Sequence, residues 1–207
     1  MTDKCFIVGT GPSLKETEGL YQLASEDTFG VNRLILWEDL PFIPTYYAGN
    51  LTEVLSGYTP SEPECKKQRF IFYNPQDDLT TMPKGWVPVA KRMRYSLYDD
   101  EIVGLGDTLP PIPGGGTISM TVAQWALWMG YRQVYLVGVE QSEDKAPTIK
   151  AHSQGSLATN FIRWQAWEWL KEYCDDNGAE VHDCTPQGQL SMRKILPYLD
   201  LSEVLGC

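Results

Sequence analysis

An apolar run that turns without a spacer into a glycine-rich corner leaves few folds open. Cys5-Phe6-Ile7-Val8 contains no polar side chain, as a strand buried on both faces requires. Gly9-Thr10-Gly11-Pro12-Ser13-Leu14 follows at once. Glycine at 9 and 11 permits a sharp turn and close approach of a ligand to the backbone. Pro12 stiffens the exit, and Ser13 is placed to cap a helix after the corner. A helix starting there presents unpaired N–H groups, an end that favours anions by ~0.3–1 kcal/mol per contact. A phosphate is therefore the expected guest at the carboxyl end of the first strand. The corner is neither a dinucleotide fingerprint, which adds a third glycine, nor a P-loop, which adds Gly-Lys-Ser/Thr.

Length and composition narrow the partners. The 207 residues suit a single α/β domain spanning 1–207. No run reaches the ~18 consecutive apolar residues of a membrane span, and Met1-Thr2-Asp3-Lys4 lacks the form of a signal peptide. The five cysteines, at 5, 65, 174, 184 and 207, form no C-x-x-C pair, which points to a reducing cytoplasm rather than a disulfide or zinc framework. A formal charge of −10 argues against general nucleic-acid binding. One basic cluster, Lys84, Lys91, Arg92 and Arg94, stands as a solvated edge or a contact for an anionic substrate. A homo-oligomer is compatible with this composition.

Along the chain the pattern predicts a Rossmann-like, mostly parallel sheet flanked by helices. A first helix is expected over 13–24, with Leu14, Leu20 and Leu23 facing inward. Strands are expected over 28–32 and 45–50, ending in Asn32 and Asn50. These amides offer both a donor and an acceptor at the edge where the glycine corner lies. Residues 51–68 read as a helix or irregular crossover, and 69–75 as a fourth strand. From 76 to 113 prolines recur without periodicity, the mark of a lid or substrate loop. Gly114-Gly115-Gly116-Thr117 is a second bare-backbone hinge. The helix expected after it, 118–129, carries Ile118, Val122, Trp125, Ala126 and Met129 on one face. A strand over 133–140 ends at Glu140. A polar loop with His152 and Ser153 follows, then a helix over 157–175 whose aromatic stripe reads as core, and a last strand over 179–184. Of the two histidines, His182 lies within a strand and reads as packed. His152 lies in the loop past a strand's carboxyl end, where a group of pKa near 6.5 can take a proton from a hydroxyl.

Val8-Gly9-Thr10-Gly11-Pro12-Ser13-Leu14, Asn32, Asn50, Gly115-Gly116-Thr117-Ile118, Met129-Gly130-Tyr131 and Tyr135 to Glu140 together resemble a Rossmann-like transferase group. It comprises bacterial lipooligosaccharide sialyltransferases, Maf-type flagellin-glycosylation proteins and archaeal 6-hydroxymethylpterin diphosphokinases. The sialyltransferase resemblance implies that Gly9, Thr10, Gly11, Ser13, Asn32 and Asn50 hold the CMP part of a donor. It also implies that Gly115, Gly116, Thr117 and Glu140 line the same site, and that His152, in its His-Ser pair, is the catalytic base. Thr10 stands where those enzymes carry asparagine, and Glu140 where they carry aspartate. The implied reaction transfers a sugar from a CMP-linked nucleotide donor to an acceptor hydroxyl, with no tightly bound cofactor. The diphosphokinase resemblance implies an ATP- and Mg²⁺-dependent pyrophosphate transfer instead, with Glu140 near the metal. A third reading is a non-catalytic nucleotide-binding protein.

Overall fold

The structure, a computed structural model, describes residues 3–57, 59–73, 77–90, 117–139, 157–186 and 195–206. Among them seven strands form one sheet: β1 (Lys4–Val8), β2 (Thr28–Val31), β3 (Tyr46–Asn50), β4 (Gln68–Tyr73), β5 (Trp86–Ala90), β6 (Gln133–Val137) and β7 (Glu180–Asp183). Their order is β5-β4-β3-β2-β1-β6-β7, and every pairing is parallel. The chain therefore steps outward from β1 to β5, then crosses back to lay β6 on the other flank of β1.

Parallel strands need cover on both faces, and the period of two in β1 supplies it. Cys5 and Ile7 join one core cluster with Phe29, Val31, Tyr46, Ala48, Val134 and Leu136, beneath α2 (Ile118–Trp128) and α3 (Leu157–Asn177). Phe6 and Val8 face the other way, into a cluster with Leu14, Leu20, Leu23, Leu34, Tyr135 and Val137. α1 (Leu51–Leu55) packs Leu51 and Val54 over Tyr47, Ile71 and Trp86 on that second face. The tail returns to the sheet at β7, where Asp183 N–H donates to Pro197 O and Leu199 N–H to Asp183 O, before α4 (Leu201–Leu205).

α2 matches the expected face closely. Ile118, Val122 and Ala126 are buried, whereas Trp125 and Met129 are partly covered. Complete burial of an aliphatic side chain such as Val122 stabilises by about 1.5–3 kcal/mol. In α3, Trp167, Leu170 and Cys174 are buried and Trp169 stacks on Tyr173, so the described part of the aromatic stripe is core.

Two expectations change. The segment after the corner is not an α-helix but two short 3₁₀ turns, Pro12–Glu16 and Leu20–Ser25, separated by Gly19 at φ 76°. Leu14, Leu20 and Leu23 are buried as expected, so three inward leucines are satisfied by tighter turns with no helical register. Within the expected lid, residues 86–90 are strand β5 instead of loop. Pro88 disguised it, because proline lacks the N–H a central strand needs but is tolerated on an edge, and among the described residues β5 pairs only with β4. Residues 91–113 lie outside the described residues.

Candidate functional site

The register fixes which groups share an edge. Val8 pairs with Gly30 and with Val137, Val31 pairs with Ala48, and Asn50 with Phe72. Gly9, Asn32, Asn50 and Gly138 therefore leave the sheet together at its carboxyl edge. The order reverses beside β1, so the crevice between the ends of β1 and β6 is a topological switch point, the place where open α/β sheets bind ligands.

The glycine corner is built differently from the expectation. Gly11 has φ −64°, and Gly9 is not among the glycines of positive φ, so neither is required for a left-handed turn. Gly9 is required by contact: a Cβ there would stand 2.4 Å from Gly138 O and 3.1 Å from Val139 Cγ2. The N–H of Gly9 donates to Val137 O at 2.9 Å, and that of Gly11 to Gly138 O at 2.7 Å. These two N–H groups clasp β1 to β6 and are not the free anion donors expected. Gly138, at φ 62°, turns the chain over Leu14, whose Cβ lies 3.1 Å from where a Gly138 side chain would begin. Ser13 is buried inside the first 3₁₀ turn, whose cap position is Gly11 with no side-chain bond, so Ser13 does not cap a helix. Thr10, partly exposed, stands at the tip of the clasp.

Asn32 adopts φ 55°, the left-handed conformation that asparagine tolerates better than most residues. Its N–H donates to Ala48 O at 3.3 Å, and its Oδ1 is buried with no hydrogen-bond partner. A buried acceptor left unpaired costs about 1–3 kcal/mol, which a ligand N–H or O–H at this position removes. Asn50 sits at the N-cap position of α1, yet its side chain makes no capping bond.

Thr117 is the N-cap of α2, its hydroxyl oxygen accepting the Met120 N–H at 3.3 Å. α2 runs back across the sheet, because just past its far end Arg132 and Gln133 donate to Asp3 O beside the start of β1. Its 11 residues cover ~16 Å, as much as a five-residue strand, which places Thr117 at the carboxyl edge. The Thr117 hydroxyl keeps its proton to donate, and the first-turn N–H groups of Ile118 and Ser119 have no partner within the helix.

Gly115, Gly116, Glu140 and His152 lie outside the described residues. His182 is packed as expected: its ring stacks on Tyr135 with centroids 5.4 Å apart, and Nε2 lies 3.1 Å from Glu180 Oε2. Among the described residues no group of three or more His, Cys, Asp or Glu is placed to hold a metal ion, and no helix is long and apolar enough to cross a membrane. Two residues of the edge escaped the sequence reading. Gly138 could have been found from its place directly after the most regular strand. Tyr47 could not, since an aromatic residue inside a strand reads as core. Its hydroxyl donates to Asn32 O and accepts from Ile35 N–H, and burial raises its pKa well above that of an ordinary phenol.

No family model and no curated protein matches the sequence. The fold has solved counterparts. The monofunctional α-2,3-sialyltransferase Cst-I from Campylobacter jejuni superposes with a TM-score of 0.60 at 15% identity, over 95% of this chain and 80% of that one. The sialyltransferase CstII from the same organism, with the substrate analogue CMP-3FNeuAc, gives 0.54 at 12% identity, over 95% and 86%. CstII with a trisaccharide acceptor and CMP gives 0.54 at 13%, over 94% and 85%. Of the three groups the sequence resembles, these structures represent the sialyltransferases, and at such identities the shared property is the fold.

Proposed function

We propose that this chain is a sialyltransferase-like glycosyltransferase that moves a sugar from a CMP-linked donor to an acceptor hydroxyl. The observation that carries the reading is that a glycine clasp at the switch point shares the sheet's carboxyl edge with two strand-end asparagines, one holding a buried, unpartnered acceptor. The fold shared with Cst-I and CstII supports it, since CstII has been crystallised with CMP and with a CMP-sugar analogue.

In this reading Gly9, Thr10, Gly11 and Ser13 form the backbone wall against which the nucleotide lies, and Asn32 and Asn50 bond its base and ribose. Gly115, Gly116 and Thr117 approach the phosphate or the sugar from the start of α2, where the helix dipole favours negative charge. Glu140 lines the same site, as the resemblance implies. His152 accepts the proton of the acceptor hydroxyl as that oxygen bonds to the anomeric carbon. The bond from that carbon to the phosphate oxygen breaks, and CMP leaves with the electron pair.

The test uses His152→Ala with a CMP-linked sialic acid and a trisaccharide acceptor. Turnover should fall by about 10²–10⁴-fold while CMP binding persists. Unchanged turnover removes His152 from the mechanism. A thermal-shift series with CMP, CDP, UDP, GDP, ADP and ATP tests the donor class, because a ligand at 100 times its Kd stabilises by ~2.7 kcal/mol. A shift by ATP with Mg²⁺ and none by CMP would replace this reading with the pyrophosphate-transfer one.

A further inference from the structure

Tyr47 carries a hydroxyl that packing alone does not explain. Its ring is completely buried on β3, edge-on to Trp86 with centroids 6.5 Å apart, and a phenylalanine would fill that space equally. The hydroxyl reaches across to the chain leaving β2. There it donates to Asn32 O at 2.5 Å and accepts the Ile35 N–H at 3.4 Å. Neither bond can run the other way, since a carbonyl only accepts and an amide N–H only donates. One buried phenol thus spans the first turn after β2, from Asn32 to Ile35.

That turn contains the one described non-glycine residue of positive φ, Asn32 at 55°. Asparagine tolerates this conformation, and the contacts around it fix the turn. The Tyr47 hydroxyl and the Ala48 carbonyl are the groups that hold Asn32, and both come from β3. The Asn32 carboxamide in turn projects an Oδ1 that is buried without a partner. A left-handed backbone and an unsatisfied acceptor in one residue, held by a neighbouring strand, describe a preorganised contact.

We infer that Tyr47 is a positioning residue for the nucleotide subsite: its hydroxyl holds the Asn32 turn and so aims the Asn32 Oδ1 at an N–H or O–H donor of the bound nucleotide. The inference rests on the nucleotide-transferase reading above. It assigns a role in ligand binding to a residue that touches no ligand.

The experiment compares Tyr47→Phe, Asn32→Ala and the double variant by calorimetric titration with CMP, alongside amide spectra of the ligand-free proteins. Tyr47→Phe should weaken CMP binding by about tenfold, and Asn32→Ala by as much or more. The double variant should bind no more weakly than Asn32→Ala, because Tyr47 acts only through Asn32. In the ligand-free spectrum, Tyr47→Phe should move the backbone and side-chain amide signals of Asn32. Losses that add in the double variant, or Asn32 signals that stay in place, overturn the proposal. So does an Ile35 N–H that exchanges freely in the wild-type protein, a measurement that needs no variant. If Asn32→Ala binds CMP like wild type while Tyr47→Phe still moves the Asn32 signals, the nucleotide reading fails. The ligand part of this proposal then fails with it, leaving only the held turn.

Discussion

Replacing Gly9 with alanine probes the clasp at the centre of the site. The new Cβ would lie 2.4 Å from Gly138 O and 3.1 Å from Gly138 C and Val139 Cγ2. A relaxed carbon contact needs about 3.5 Å, so the β6 exit must retreat by on the order of 1 Å. Backbone meets backbone here, so no side-chain rotation relieves the overlap. Overpacking of this kind costs about 1–3 kcal/mol. Stretching the bonds from Gly9 N–H to Val137 O and from Gly11 N–H to Gly138 O adds about 0.5–1.5 kcal/mol each. The sum, roughly 2–6 kcal/mol, lowers Tm by on the order of 5–20 °C for a chain of this length. Thermal unfolding followed by circular dichroism measures it. Gly178→Ala is the control, because a Cβ there meets nothing within 4 Å and suffers only from φ 64°, which costs about 1–2 kcal/mol. If Gly9→Ala unfolds at the wild-type temperature, or no lower than Gly178→Ala, the clasp is not the tight junction described here.

The remaining expectations concern the opposite edge and the thiols. At the amino edge, Tyr131 donates to Asp27 Oδ2 at 2.9 Å, and Lys67 lies 3.0 Å from Asp27 Oδ1. Tyr131→Phe should destabilise by about 1–3 kcal/mol in urea unfolding while CMP affinity stays unchanged; weakened CMP binding would contradict the separation of the two edges. Cys174 and Cys184 are buried, and burial pushes both thiols up to about 12. Among Cys5, Cys65, Cys174 and Cys184, only the partly exposed Cys65 should therefore react with iodoacetamide at pH 8 in the folded protein. The same shifts set a pH dependence. These thiols are neutral in the folded state and ionise more readily when unfolded, so their contribution is intact below about pH 8.5. It declines as pH rises towards 12, by roughly 1.4 kcal/mol per pH unit for each thiol. Cys174→Ala should flatten that alkaline decline; an unchanged slope refutes the assignment.

Much of the fold was legible because strands buried on both faces announce themselves. Phe29-Gly30-Val31, Phe70-Ile71-Phe72 and Val134-Tyr135-Leu136-Val137 are continuous apolar runs, and all are strands. β5 was hidden by Pro88, and the turns of 12–25 looked helical because three leucines face inward whichever kind of turn carries them. At the site, the prediction that Asn32 and Asn50 share an edge with the glycine corner follows from strand ends alone, and the register bears it out. The reason for Gly9 was not legible. A local sequence shows that glycine permits positive φ, but the carbonyl that excludes a Cβ belongs to Gly138, more than a hundred positions away. Tyr47 was hidden for the same reason, since its hydroxyl acts across strands.

The proposed nucleotide subsite lies at the carboxyl edge between β1, β2, β3 and β6. Hydrogen exchange with and without saturating CMP measures that directly. Slowed exchange should appear in the segments holding Gly9 to Leu14, Asn32 to Ile35, Asn50 to Glu53 and the first turn of α2. The amino-edge amides near Asp27, Lys67 and Tyr131 should keep their rates. Protection at that amino edge, or no change at saturating CMP, would contradict the account.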